Sequence, residues 1–137
     1  MPIEPGPFNL DSTALIFRPD NTAATKARTP SFYQELDDEF DGFAGHVLIQ
    51  KFTFGDAWPT WEMHPEGDEF VYLLDGDTDF VLYNPAGEDA VVRVREPGSY
   101  VMVPSGVWHT ARPHAQTTLL FVTPGNGTLN AERPSDG

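Results

Sequence analysis

The chain contains no cysteine, and this one absence removes disulfides, thiolate nucleophiles and thiolate metal ligands together. Histidine and the carboxylates are left as the strong ligands. Basic residues are scarce: eight Lys and Arg stand against 21 Asp and Glu, a formal net charge of −13. The average field of such a surface repels a phosphate backbone, so nucleic acid is not an expected partner. No apolar run approaches the roughly 18 residues of a membrane span. The N-terminal Met1-Pro2-Ile3-Glu4-Pro5-Gly6-Pro7 has neither the basic nor the apolar region of an export signal. A cytoplasmic protein with no membrane partner is expected. The acidic run from Glu35 to Asp41 reads as a solvated face rather than a cation site.

What is present fits one domain, because 137 residues form one core of ordinary size. Residues 1–45 read as an N-terminal arm, in which Thr13 to Phe17 can form a short edge strand. Phe32, Leu36, Phe40 and Phe43 recur at helical spacing with Ser31 placed as an N-cap, until Gly42 and Gly45 break the pattern. From His46 to residue 124 the texture changes to short β-branched and aromatic runs divided by Gly, Pro, Asn and Asp. Eight strands are expected, at 46–54, 60–64, 69–74, 78–83, 90–95, 99–103, 107–112 and 117–123. That number suits an all-β jelly-roll barrel. Residues 125–137, rich in Pro and Gly, read as a tail.

Side chains two apart on a strand share a face, so Glu62 and His64 point the same way and Met63 the other. Pro65-Glu66-Gly67-Asp68 forms a tight connection that can fold the chain back and bring Glu69 toward His64, as a hairpin would. A fourth ligand must come from a distant strand. His109, mid-strand among Val107, Trp108, Thr110 and Ala111, is the candidate. His46 and His114 read as surface or supporting residues. Glu69, Val71 and Leu73 alternate with Phe70, Tyr72 and Leu74, so both faces of that strand are apolar and both call for a cover. Trp58, Trp61, Tyr72, Phe80, Tyr100, Met102, Trp108 and Phe121 are candidates for shaping a pocket, most of them as core.

These residues resemble the two motifs of the cupin superfamily, G-x5-H-x-H-x(3,4)-E-x6-G and G-x5-P-x-G-x2-H-x3-N. Gly55 opens the first stretch, His64 takes the second histidine position, four residues lead to Glu69 and six more to Gly76. The second stretch runs from Gly98 through Pro104 and Gly106 to His109. Glu62 stands where the first histidine is expected, one residue late, and Pro113 stands where the family often has Asn. The resemblance implies a double-stranded β-helix, a small-molecule substrate or ligand, and a homodimer paired through a sheet. It also implies one divalent ion, Fe, Mn, Zn or Ni, on Glu62, His64, Glu69 and His109. If Glu62 does not bind, it is free as a catalytic acid or base beside a 2-His-1-carboxylate set. The activities in view are oxygenase, isomerase or lyase, with a non-catalytic module binding a small acid or sugar as the alternative.

Overall fold

The computed structural model describes residues 3–134. Eleven strands form two antiparallel sheets packed face to face. They are β1 (Thr13–Phe17), β2 (Ala23–Ala27), β3 (Val47–Phe54), β4 (Trp61–Met63), β5 (Glu69–Asp75), β6 (Thr78–Leu82), β7 (Ala90–Val94), β8 (Tyr100–Val103), β9 (His109–Pro113), β10 (Thr117–Pro124) and β11 (Leu129–Ala131). One sheet runs β2-β1-β3-β10-β5-β8 and the other β11-β4-β9-β6-β7. The sequence periodicity explains the layering: β10 alternates buried and part-buried residues along its whole length, and Glu69, Val71 and Leu73 of β5 point inward. Between the sheets, Val71, Leu73, Phe80, Val94, Val101, Val103, Ala111, Leu119 and Phe121 form the main core.

Residues 13–27 are two full strands at one edge of the larger sheet, with β1 paired to both β2 and β3. Residues 129–131, within the stretch read as a tail, form a strand on β4. The β1–β3 and β4–β11 pairings are long-range in sequence, which is why local composition shows them poorly, whereas β1 and β2 form a local hairpin. Helix α1 (Phe32–Glu39) ends where the phenylalanine spacing meets Gly42, whose φ of 66° is left-handed. Ser31 occupies the N-cap without a side-chain bond, and Glu35 binds Lys26 and Thr29 instead. Phe32 and Leu36 bury their side chains with Ala14, Ile16, Phe43 and Leu48, so the helix is seated over the inner face of β1 and β3. Each of the larger side chains among them contributes about 1.5–3 kcal/mol by leaving water, and the Ala14 methyl less.

The expected hairpin between β4 and β5 is corrected by the topology. These two strands lie in different sheets, and the chain crosses the sandwich between them. The crossing is held by the loop before β9: Ser105 N–H donates to Asp68 Oδ1 (2.8 Å), Ser105 Oγ to the Pro65 carbonyl (2.8 Å), and Gly106 N–H to the His64 carbonyl (3.0 Å). Gly106, at φ 81°, makes that turn in a conformation few other residues adopt. Two turns that each read as local reversals in sequence thus brace one another, beside the three residues His64, Glu69 and His109 that they carry.

Candidate metal centre

Glu62 lies opposite His109 in the β4–β9 pairing, and His64 follows at the end of β4. Across the sandwich, Glu69 opens β5. His109 begins β9 instead of standing mid-strand as expected. Glu62, His64 and His109 each offer a ligand atom, and these atoms lie within 4.8 Å of one another. Glu69 Oε2 is 3.2 Å from His64 Nε2, and Glu69 Oε1 is 3.2 Å from His109 Nε2. Glu62 Oε2 is 3.8 Å from His64 Nε2. The four side chains singled out in the sequence therefore converge at one place.

The outward nitrogen of each imidazole is already engaged. His109 Nδ1 is 3.0 Å from the Val107 carbonyl, which can only accept, so the proton sits on Nδ1 and the Nε2 lone pair faces the cluster. His64 Nδ1 meets Thr128 Oγ1 at 2.8 Å. Thr123 Oγ1 donates to Glu69 Oε2 and fixes that carboxylate. His109 is fully buried and stacked on Phe80, with ring centroids 5.6 Å apart. What remains is three buried polar atoms without a hydrogen-bond partner among the described residues: His64 Nε2, Glu69 Oε1 and His109 Nε2. Buried polar groups are ordinarily paired. Three such atoms in one place, with the other nitrogen of each imidazole and the other oxygen of Glu69 already engaged, form a donor set that fits a divalent cation. A Glu/His/His cluster with this chemistry can hold such an ion.

Electrostatics in the metal-free state follow from crowding. Burial pushes the Glu62 carboxyl above the ordinary range, His109 opposes this, and Glu69 adds to it. Burial also pushes Glu69 up, but the facing imidazoles of His109 and His64 outweigh it and hold the carboxyl at about 2. Burial lowers His109, whereas the Glu69 carboxylate raises it further, so the imidazole titrates above 6.5. One carboxylate of the cluster is thus firmly ionised, and the other keeps its proton more readily.

Glu62, His64 and Glu69 line a cavity of about 820 Å³ that runs from the cluster toward α1. Its walls include Phe52, Phe54, Trp58 and Phe121, with Gln50, Thr123 and Thr128 among the polar positions. Of the candidate pocket residues, Trp58 and Phe121 line it. Phe80 is core, Trp61 packs on Tyr83, and Tyr100 and Met102 are exposed on the outer face of β8. His46 is buried against Phe40 and Phe43, and His114 pairs with Asp79 at 3.0 Å; neither belongs to the cluster. Thr123, Thr128 and Gln50 were not singled out in the sequence. The signal for Gln50 is an amide at an inward position between Leu48 and Phe52; the two threonines carry none without the strand register.

No family model and no curated protein matches the sequence. Solved structures do match in fold. A cupin superfamily protein from Desulfitobacterium hafniense is 22% identical over 58% of this chain and 68% of that one, with a TM-score of 0.48. Recombinant oxalate oxidase in complex with glycolate is 15% identical over 61% of this chain and 45% of that one, at a TM-score of 0.52. Peruvianin-I from Thevetia peruviana latex, described as a cysteine peptidase, is 15% identical over 66% and 58%, at 0.53. The chain spans under half of the oxalate oxidase and just over half of peruvianin-I. At such identities the likeness is one of fold, and the peptidase activity named for peruvianin-I has no cysteine to run on here.

Proposed function

We propose, from the premise that the chain has the fold of the cupins, that it is a metal-dependent enzyme acting on a small organic molecule, with Glu62, His64, Glu69 and His109 around one divalent ion. The observation that carries this is the trio of buried, unpartnered ligand atoms on His64, Glu69 and His109. Two imidazoles and two carboxylates make a hard, anionic set that suits Fe²⁺, Mn²⁺, Zn²⁺ or Ni²⁺. When bound, such an ion supplies Lewis-acid polarisation of a substrate oxygen and, for a redox metal, electron transfer. The chain's own residues do the rest. Thr123, Thr128 and the Val107 carbonyl orient the ligands. The aromatic walls give a substrate's body an apolar lining to rest on. Glu62 is the proton carrier: its carboxyl is on the cavity wall, partly open beside His64, and burial raises it above the ordinary carboxylate range, so it holds its proton more readily than a free carboxyl does.

A homodimer is part of the same proposal. Outward positions Phe70, Tyr72 and Leu74 of β5, Tyr100 and Met102 of β8, and Thr118, Leu120 and Val122 of β10 carry no charge. On a chain of net charge −13, that neutral, apolar face is where a second copy meets the least repulsion.

The test is elemental analysis of protein purified without a metal-chelating tag. Stoichiometric metal in wild type and its loss in His64→Ala and His109→Ala are expected; metal-free wild type from metal-replete cells sinks the reading. Oxygen consumption over a panel of small acids and sugars then separates an oxygenase from an isomerase or lyase. A metal-loaded protein that binds such compounds without converting any of them is a binding module instead.

A further inference from the structure

The cavity has a second polar pole, away from the Glu/His cluster. Gln50 is an inward residue of β3, 7% exposed, on a wall otherwise built from Leu48, Phe52, Phe54 and Phe121. Its neighbour Arg28 donates from Nη1 to Gln50 Oε1 at 2.9 Å. A guanidinium can only donate, so the amide has one orientation: oxygen to Arg28, NH₂ to the other side. From there Nε2 donates to Tyr33 Oη at 3.3 Å. Two donors are left over. Gln50 Nε2 has a second N–H with no acceptor among the described residues, and the Tyr33 hydroxyl, already accepting, has its own proton to give. Arg28 is clamped between the rings of Phe32 and Phe52, 4.8 and 4.7 Å from their centroids, and has no carboxylate partner among the described residues. Its charge therefore polarises the chain Arg28 to Gln50 to Tyr33 instead of being neutralised.

The register places this pole relative to the cluster. Gln50 pairs with Phe121, and Thr123, two residues on, sits beside Glu69 and donates to it. On ordinary strand spacings Gln50 and Glu69 are roughly 12 Å apart at Cα, two strands across and two residues along. That is the length of a small organic molecule, and the wall between is aromatic.

We infer that Gln50, oriented by Arg28 and extended by Tyr33, anchors the substrate, and that the substrate is a small molecule with an apolar body and an acceptor oxygen, carboxylate or carbonyl, at its end remote from the cluster. This rests on the proposed function for its second anchor but not for its first. Asp37, which also lines the cavity one helical turn beyond Tyr33, opposes a full negative charge, so the two kinds of acceptor are distinguished by experiment.

Three probes of one shape are titrated by ligand-observed NMR: 3-phenylpropionate, 3-phenylpropanamide and 3-phenylpropylamine. The acid or the amide binds and the amine, which has no acceptor oxygen, binds at least about tenfold more weakly. Gln50→Met and Arg28→Met lose about tenfold for the binding probe and nothing for the amine. Acid-only binding identifies a carboxylate, amide-only binding a carbonyl. The inference is overturned if no probe binds, if the amine binds as well as the others, or if Gln50→Met keeps full affinity. Circular dichroism and metal content equal to wild type show that each variant is folded with its cluster intact. The titrations are run on metal-free and on Mn²⁺-loaded protein. Gln50-dependent selectivity in a protein that takes up no metal fails the proposed function alone; metal uptake without that selectivity fails this inference alone.

Discussion

At the scale of single residues, the cluster is expensive to leave empty. His64 Nε2, Glu69 Oε1 and His109 Nε2 have no well-formed hydrogen bond, and without metal their only compensation is the contact of the two imidazoles with Glu69 at 3.2 Å. A buried polar atom left wholly without a partner costs about 1–3 kcal/mol. Metal at about a hundredfold over its dissociation constant should add about 2.7 kcal/mol to stability, roughly a 10 °C rise in melting temperature for a domain of this size. Calorimetry with and without chelator reads this directly; an unchanged transition argues against a site. Glu62 is the distinguishing variant. Glu62→Gln keeps the shape and a ligand oxygen but cannot carry a proton, so metal content should stay near wild type while turnover falls about a hundredfold or more. If instead metal is lost in proportion to activity, Glu62 is only a ligand. These four residues were legible in the sequence because strand alternation and motif spacing are local. Thr123, Thr128 and Gln50 were not, because which residue of β10, of the approach to β11 or of β3 faces the cavity depends on register set by the whole sheet.

At the scale of elements, helix α1 decides whether the cavity is closed. Leu36 is 3% exposed and packs with Phe43 and Leu48 at the cavity wall. Leu36→Ala should cost about 2–5 kcal/mol, measured by urea unfolding, and should widen that end of the cavity. A cost under about 1 kcal/mol would mean the helix is loosely docked. Gly76 supports the other end of β5. Its φ is 115°, and a Cβ there would stand 2.5 Å from the Thr117 Cα, so Gly76→Ala should destabilise by more than the roughly 1 kcal/mol an ordinary glycine replacement moves. The phenylalanine spacing announced α1 and the Asp75-Gly76-Asp77 turn announced the end of β5. The passage from β4 to β5 departs from the expected hairpin for a physical reason: a four-residue reversal looks the same in sequence whether the next strand pairs with the last or crosses to the facing sheet. What commits it is Asp68 and Pro65 bonding to Ser105, a partner 37 to 40 residues away.

At the scale of the whole molecule, charge and association act together. The neutral outer face of β5, β8 and β10 predicts a dimer by light scattering, and Tyr100→Glu, at a position 62% exposed in one chain, should give a folded monomer. The pH response follows from the cluster. In the metal-free protein His109 titrates above 6.5, because the Glu69 carboxylate overrides burial; the stability this proton contributes is complete below pH 6.5 and is lost as pH rises through the raised value. Glu69 is held at about 2 against an ordinary 4.5, so its contribution is complete above pH 4.5 and is lost as pH falls toward 2. The two windows overlap between pH 4.5 and 6.5, and Glu62, raised by burial, loses its contribution as pH climbs above 4.5. The metal-free melting temperature should therefore be highest toward the acid side of that overlap, and the His109 test is read in a Glu62→Gln background. Metal reverses the alkaline limb. Ligands must give up their protons to bind, so the gain from metal grows as pH rises through the His109 titration, and protons are released on uptake. Melting curves from pH 4 to 9, in chelator and in Zn²⁺, should therefore diverge above pH 6.5, and His109→Gln should abolish both the divergence and the metal-free decline. A metal-free wild type whose stability keeps climbing to pH 8.5, or a decline that survives in His109→Gln, would remove the buried His109–Glu69 pair as its cause.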